Sequence, residues 1–249
     1  MLYIIRALLC LQLGTKIGFQ KEKTMIHRYY KDGQKLDVAG LNQIIVLVDR
    51  SETELSEIGL NEWRAGLDGP PHQHMQKDQF FYVTSGKGLI KLGDKEYKAR
   101  PGALAYVPAG LVHQTVAQGE ESLCYILYNV FADASKEGHK SFADHIEKVK
   151  QTRKRQAQES SAAADEIKLP PDFKLKSPKF INDVNEVQDS QLSIPLIESD
   201  EANSCEMLLV NQSGISDQPV VYTDREQCLF VTQGNAVLRA GDQVKNLIP

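Results

Sequence analysis

The sequence predicts an all-β fold built from antiparallel barrels, and three observations favour it. Short runs of apolar and β-branched residues recur along the chain, as in residues 41–48 (LNQIIVLV) and 80–84 (FFYVT). Glycine and proline turn signals separate these runs, as at residues 86–88 and 101–102. The first half of the sequence also repeats in the second half. Many short strands joined by tight turns are typical of barrels and sandwiches.

The composition is that of a globular protein with room for one large domain or two ordinary ones. The chain has 249 residues, of which 41% are hydrophobic and 25% charged, with a net charge of -4. This small negative charge gives no general attraction to nucleic acid or to an anionic membrane, so we expect neither partner. Four scattered cysteines without a CxxC pair are expected to be buried thiols: Cys10, Cys124, Cys205 and Cys228.

The N-terminal segment is apolar but does not fit a targeting signal. Residues 1–14 are too short to span a bilayer, and they lack a basic region before the apolar run and an Ala-x-Ala cleavage site. A second methionine, Met25, opens a sequence of ordinary composition. We therefore predict a cytoplasmic protein with an N-terminal extension over residues 1–35, and we interpret residues 1–24 as an upstream addition to the gene.

The first predicted barrel covers residues 36–131. After the strand at 41–48, residues 61–65 lead into the stretch that begins at Gly66. Residues 80–84 and 89–92 are predicted to form a hairpin across a Gly-Lys-Gly turn. Further strands are predicted at residues 103–107, after a Pro-Gly break, and at 124–131.

A charged connector is predicted over residues 132–174. Residues 144–156 can form a helix that includes the basic run 148–155, and residues 159–164 (ESSAAA) have the composition of a linker. A basic helix could contact RNA, but acidic residues flank this one. We therefore interpret it as a solvated connector.

The second predicted barrel, residues 175–249, is a degenerate copy of the first. A shift of 148 positions aligns the two halves without a gap, since it places Gly66 on Gly214, Gln79 on Gln227 and Gly86 on Gly234. The segment DQFFYVT (78–84) then faces EQCLFVT (226–232).

The second copy lacks two features of the first. His72 and His74 fall opposite Val220 and Tyr222, so this copy cannot assemble the same histidine pair. The sequence given ends at Pro249, before the stretch that would carry the third histidine. Either the gene is truncated, or the second barrel is open and exposes a strand edge to a partner, for which we expect a homodimer.

Two spaced motifs centre on histidine. In the first, Gly66 is followed by five residues, His72-x-His74, four residues, Gln79, six residues and Gly86. In the second, Gly102 is followed by five residues, Pro108-x-Gly110, two residues and His113. Because alternate side chains of a strand share a face, His72 and His74 project together, and a third imidazole from a later strand would complete a divalent-metal site.

These segments resemble the two sequence motifs of the cupins, and the repeat resembles a bicupin. The resemblance implies a double-stranded β-helix, or jelly-roll barrel, with a metal in its mouth. The chain departs from most metal-binding cupins at Gln79, where they carry glutamate. His27, His139 and His145 lie outside the motifs, and we expect them to be ordinary surface or core residues.

The predicted metal ligands are His72, His74, His113 and the oxygen of Gln79. Three nitrogens and one oxygen suit Fe, Mn, Ni, Zn or Co and leave positions open for a small-molecule ligand. Gln227 occupies the matching place in a copy without the histidines, so Gln79 could instead serve hydrogen bonding in the barrel. Asp78 is then the alternative oxygen donor.

Three functions remain open at this stage. Glutamine in place of glutamate removes a negative charge, which strengthens the pull of the metal on an anionic substrate and disfavours the ferric state. Some cupins that act on sugars and uronates resemble this chain in using glutamine. We therefore favour a metal-assisted isomerase or lyase step on a sugar, uronate or other small carboxylate. The alternatives are an oxygen-dependent dioxygenase and a non-catalytic ligand-binding or structural module.

Overall fold

A computed structural model describes residues 4–12, 25–158, 169–187, 193–213 and 226–248. The chain divides into two compact units. One is Arg28–Val187, here called the histidine unit; the other combines Met1–His27 with Gln188–Pro249 and is called the terminal unit.

The described residues are organised mainly as β-strands, with one α-helix among them. Numbered along the chain, the strands are β1 (Ile4–Gln12), β2 (Gln34–Val38), β3 (Asn42–Val48), β4 (Ser56–Trp63), β5 (Lys77–Ser85), β6 (Lys87–Leu92), β7 (Lys95–Ala99), β8 (Leu104–Val107), β9 (His113–Gln118), β10 (Leu123–Phe131), β11 (Lys179–Ile181), β12 (Ser193–Ile197), β13 (Cys205–Ser213), β14 (Gln227–Gln233), β15 (Ala236–Ala240) and β16 (Gln243–Leu247). The helix α1 is Phe142–Gln158, and three short 3₁₀ turns are Tyr30–Asp32, Lys136–Gly138 and Val184–Glu186.

The histidine unit is a jelly-roll barrel made of two antiparallel sheets. The larger sheet has the order β11-β8-β5-β10-β4-β3-β2, and the smaller has the order β7-β6-β9. Side chains from both sheets form one apolar core, to which β5 contributes Phe81 and Val83, and β6 contributes Ile90 and Leu92. The predicted all-β jelly-roll fold is therefore confirmed.

Strand β5 has two buried faces. Phe81 and Val83 point into the barrel core, and Gln79 shares their side of the strand. Phe80 points to the other side, where its ring lies 5.2 Å from that of Tyr106 and 6.3 Å from that of Tyr128. The alternation of side chains along β5 therefore directs Gln79 into the interior.

The helix α1 packs on the histidine unit with one apolar face. Phe142 and Ile146 are 1% and 3% exposed and belong to the barrel core, and Val149 packs against it. One turn further, Arg153 Nη1 donates to the carbonyl of Val38 at 3.1 Å. The helix is present as predicted, but its interpretation as a solvated connector is wrong for this face. Apolar residues spaced by four and three positions supply the packing stripe.

Residues beyond the helix also join the histidine unit. Strand β11 pairs antiparallel with β8, and Val184 N donates to Gly102 O at 2.8 Å. A Cβ atom at Gly102, whose φ is +93°, would lie 2.2 Å from Asp183 Oδ1, so the close approach requires glycine. Strand β11 falls within the range predicted for the second barrel. The linker predicted at residues 159–164 lies outside the described residues.

The terminal unit contains a sheet with the order β12-β13-β1-β14 and a separate hairpin, β15-β16. Strand β1 lies within the predicted N-terminal extension and pairs antiparallel with both β13 and β14. Among the cysteines whose side chains are described, Cys205 is buried, Cys124 and Cys228 are partly buried, and all three are free thiols. None of the helices in the described ranges has the length and hydropathy needed to cross a membrane.

Candidate metal centre

Backbone pairing brings the two histidine motifs together. His72 and His113 form an antiparallel bridge in which each N–H donates to the other residue's carbonyl, at 3.0 and 2.8 Å. Gly69 N donates to Thr115 O at 2.8 Å, and Gly110 N donates to His74 O at 2.7 Å. The stretch before β5 therefore runs alongside β9, and this places the third histidine directly beside the first pair.

The three predicted histidines converge. A donor nitrogen of each lies within 4.8 Å of a donor nitrogen of the others. The ring centroids are 5.1 Å apart for His72 and His74, 4.3 Å for His72 and His113, and 5.6 Å for His74 and His113. His113 is buried, and the other two are partly buried. These side chains together can hold one divalent metal ion.

Hydrogen bonds to carbonyls fix two of the imidazoles. His72 Nδ1 lies 3.1 Å from Pro70 O, and His113 Nδ1 lies 3.0 Å from Leu111 O. Since a carbonyl only accepts, each Nδ1 carries the proton and each Nε2 has a free lone pair. His113 Nε2 is buried and has no hydrogen-bond partner among the described residues. An orphaned, desolvated lone pair of this kind fits a metal ligand.

The electrostatic environment keeps these histidines neutral. Burial lowers the pKa of His72 to about 4, and the cations of Arg153 and Lys77 also lower it. Burial, followed by the Lys77 cation, holds the pKa of His74 well below its ordinary value. The pKa of His113 is also well below its ordinary value, chiefly through burial and then through His72. Neutral imidazoles are the form that binds metal.

A chain of buried polar groups orients Gln79. Arg50 forms a two-point ion pair with Glu57, at 2.7 and 2.9 Å. Asn129 Nδ2 donates to Glu57 Oε1 at 2.6 Å, and Gln79 Nε2 donates to Asn129 Oδ1 at 2.8 Å. Because the Glu57 carboxylate can only accept, Asn129 must direct its Nδ2 to Glu57 and therefore its Oδ1 to Gln79. Gln79 must in turn direct its Nε2 to Asn129. Gln79 Oε1 is thereby left buried and without a hydrogen-bond donor in the described part of the chain.

The alternative oxygen donor, Asp78, is engaged elsewhere. Its Oδ1 accepts a hydrogen bond from Ala109 N at 2.9 Å. It precedes Gln79 on the opposite side of β5, and it is not part of the cluster of donor atoms formed by the three histidines. Its carboxylate ties β5 to the loop that precedes His113.

Three further residues surround the cluster, and the sequence analysis missed them in this role. Glu137 Oε1 lies 3.8 Å from His74 Nδ1, and Glu137 Oε2 accepts from Lys77 Nζ at 3.0 Å. His145, expected to be an ordinary residue, has its ring 6.4 Å from that of His74. His145 lies one position before Ile146 on α1, so the apolar face of the helix was the available sequence signal.

The comparisons with known proteins concern the histidine unit. Residues 61–129 match the family described as the cupin domain. No curated protein matches this sequence at a significant level.

Solved structures are similar over less than half of the chain. KdgF from Halomonas sp. is 25% identical, and the match covers 40% of this chain and 88% of KdgF with a TM-score of 0.36. A predicted oxalate decarboxylase from Thermotoga maritima is 12% identical, with 41% of this chain and 96% of that chain covered and a TM-score of 0.39. The protein TT1209 from Thermus thermophilus is 19% identical over 43% of this chain and 98% of that one, with a TM-score of 0.38. The matched domain, the jelly-roll barrel and the histidine cluster together show that the histidine unit contains a cupin domain.

Proposed function

We propose that this cupin binds one divalent transition metal through His72, His74, His113 and Gln79, and that it catalyses a non-redox isomerase or lyase reaction. The substrate class is a small polar carboxylate, such as a uronate or another sugar acid. One observation carries the proposal: the three converging imidazoles are neutral, and Gln79 Oε1 is buried and without a hydrogen-bond donor among the described residues.

The neutral donor set favours an anionic substrate. Three imidazoles and one amide oxygen leave the ion its full charge of about 2+, whereas a glutamate in the same place would cancel part of it. Such an ion, when bound, polarises a carbonyl or stabilises an enediolate. Iron, manganese, nickel, zinc and cobalt all accept these donors.

Residues around the cluster orient two of the imidazoles and place an apolar ring beside one of them. Pro70 O and Leu111 O hold the imidazoles of His72 and His113 in the tautomer with a free Nε2. The Phe81 ring lies 5.9 Å from that of His113 and provides an apolar wall beside that imidazole. A low-dielectric wall strengthens the attraction between the centre and a charged substrate.

The experiment is a turnover assay with defined metals. Protein loaded with zinc, manganese, nickel or ferrous iron is mixed with a panel of uronates and hydroxy acids, and products are followed by NMR while dissolved oxygen is recorded. We expect conversion without oxygen uptake, and none with His113→Ala. Oxygen consumption by the iron form would favour a dioxygenase, and metal binding without any turnover would favour a non-catalytic module.

The proposal includes a homodimer and a cytoplasmic location, both of which remain predictions from the sequence. Sedimentation velocity on the purified protein tests the first, and localisation of a tagged chain tests the second.

A further inference from the structure

We propose that Glu137 is a positioning residue for the metal centre: it accepts a hydrogen bond from His74 Nδ1–H and so directs His74 Nε2 to the metal. This inference rests on the proposed function. It assigns a role to a residue that lies outside both cupin motifs, in the 3₁₀ turn that follows the last strand of the barrel.

The three histidines differ in what their second nitrogen faces. Nδ1 of His72 and of His113 faces a backbone carbonyl, at 3.1 and 3.0 Å. His74 Nδ1 faces the carboxylate of Glu137 instead, at 3.8 Å. A carboxylate behind a metal-bound imidazole fixes the orientation of the ring and raises its basicity. Closing this gap to hydrogen-bond length requires a movement of less than about 1 Å.

An ion pair with Lys77 through its second oxygen holds the Glu137 carboxylate in place. Glu137 Oε2 accepts from Lys77 Nζ at 3.0 Å, and the side chains of Lys77 and Glu137 are 1% and 18% exposed. Because Lys77 begins β5, three residues after His74, the ammonium group ties Glu137 to the strand that leaves the metal motif. The pair is neutral in sum, so it orients His74 without adding net charge.

The backbone at Glu137 is strained in a way that requires support. Lys136 and Glu137 have φ values of 48° and 61°, in the left-handed region that residues other than glycine rarely adopt. Strained backbone of this kind persists where the surroundings over-determine it, and it is often found at functional sites. Here it turns the Glu137 side chain toward His74.

The support comes from the buried group that also orients Gln79. Arg50 Nη1 donates to Lys136 O at 3.0 Å, and Lys136 Nζ donates to the carbonyls of Arg50 and Thr53. Arg50 therefore holds the Glu137 turn directly, and it holds Gln79 through Glu57 and Asn129. One buried guanidinium thus connects the turn that carries Glu137 with the proposed ligand Gln79.

The test compares zinc dissociation constants of variants with the same change of charge. We expect Glu137→Ala to weaken zinc binding about 10- to 100-fold, the usual effect of removing such a partner, and Glu137→Gln to weaken it less, because an amide oxygen still accepts. Glu120→Ala, an exposed carboxylate on the turn before β10, is the control and should leave the constant unchanged. In the zinc-loaded protein, the Nδ1–H proton resonance of His74 should shift in Glu137→Gln, while those of His72 and His113 stay in place.

Each outcome separates this inference from the proposed function. A wild type that binds no zinc would overturn both. A wild type that binds zinc, together with Glu137 variants of unchanged affinity and an unmoved His74 resonance, would overturn the positioning role alone. Loss of zinc in Glu137→Ala as complete as in His113→Ala would also overturn it, because Glu137 would then be a ligand.

Discussion

The histidine unit and the terminal unit have sheets with the same strand order, but one strand has a different origin in the sequence. In the histidine unit this strand follows its neighbours in the sequence, and in the terminal unit it precedes them. In the histidine unit the order β3-β4-β10-β5 uses strands from a continuous stretch, with β10 following the others in sequence. In the terminal unit the order is β12-β13-β1-β14, so β1 occupies the place of β10. Both β1 and β10 pair antiparallel with their two neighbours.

The match between the units extends to register. At the predicted shift of 148 positions, the hairpin pair Gly88–Ala99 corresponds to Ala236–Leu247, and both pairs are observed. The irregularity between β10 and β5 skips Thr84, and the one between β1 and β14 skips Thr232, its counterpart. The sheet thus preserves its pairing geometry although the strand comes from the other end of the sequence.

The two units differ in how deeply corresponding side chains are buried. Phe81 is 3% exposed, whereas Leu229, its counterpart, is 37% exposed, and Gln79 is buried whereas Gln227 is exposed. No histidine follows His145 in the sequence. Strand order alone therefore does not create the centre; it requires a closed core that removes the donor atoms from water. The positions of Val220 and Tyr222, predicted to replace the histidine pair, lie outside the described residues.

The largest expected effect on stability compares a buried ion pair with a surface ion pair. The buried pair belongs to the series of polar groups that runs from Arg50 through Glu57 and Asn129 to Gln79. Glu57→Gln leaves the Arg50 guanidinium buried without its carboxylate, and we expect a loss of about 3–5 kcal/mol of unfolding free energy for the histidine unit. The matched control is Glu52→Gln, which breaks the partly exposed Arg28–Glu52 pair and should cost less than about 1 kcal/mol. Urea unfolding measures both losses of stability. Equal losses would show that these buried polar groups do not anchor the metal centre.

The second prediction tests whether β1 has the role of β10. Leu8→Pro removes a backbone donor in a strand with neighbours on both sides, and we expect a loss on the order of 3 kcal/mol confined to the terminal unit. Hydrogen exchange resolved by segment is the measurement. Ser193→Pro, at the start of edge strand β12 that already contains Pro195, is the control and should have little effect. Unchanged exchange of β13 and β14 in Leu8→Pro would show that β1 does not hold this sheet.

The third prediction concerns the pH dependence of folding stability. We expect it to come from the desolvated imidazoles of the histidine unit, since strands β12–β16 contain no histidine. Because burial lowers the folded-state pKa of His72 from 6.5 to about 4, the unfolded state binds more protons between these values. The stability of the metal-free protein is therefore full above pH 6.5 and falls as the pH drops toward 4. The loss from His72 is on the order of 1–3 kcal/mol. Urea unfolding at several pH values in the presence of a chelator measures it, and His72→Ala should flatten the profile. A flat wild-type profile over this range would contradict the neutral, buried state of the site.

The smallest effect compares two glutamines at equivalent positions. Gln79→Glu adds a negative charge to the proposed ligand set and should tighten zinc binding about tenfold. It should also destabilise the metal-free protein, since a carboxylate oxygen would face Asn129 Oδ1. Gln227→Glu is the control and should change neither quantity, because Gln227 is exposed. Zinc affinity that is unchanged in Gln79→Glu would show that this side chain is not a ligand.

The sequence predicted what depends on local spacing. The histidine pair and the helix after the barrel have signals within a few residues, and the structure contains both. The hairpin predicted between residues 80–84 and 89–92 is wrong, because β5 pairs with β8 and β10 whereas β6 pairs with β7 and β9 in the other sheet. The Gly-Lys-Gly turn therefore carries the chain from one sheet to the other. The motif spacing also placed His113 beside the pair, since the turns at Gly102 and Gly110 are part of the resemblance to the cupins.

What the sequence did not predict depends on contacts between distant segments. The pairing of β1 with β14 joins residues more than two hundred positions apart, and nothing near Ile4 indicates its partner. Glu137 lies in no motif, and no glycine at its own position indicates its left-handed backbone. That turn is held through the carbonyl of the preceding residue, Lys136, which accepts from Arg50. The spacing of Phe142, Ile146 and Val149 indicates the buried face of α1, whereas the basic run on the same helix indicates a solvated one.

The most direct test is an anomalous difference map from crystals of the zinc-loaded protein, with data collected at the zinc absorption edge. We expect one strong peak per histidine unit, bounded by the Nε2 atoms of His72, His74 and His113 and by Gln79 Oε1. A peak at another set of side chains, or three imidazoles in place with zinc absent at saturating concentration, would contradict it.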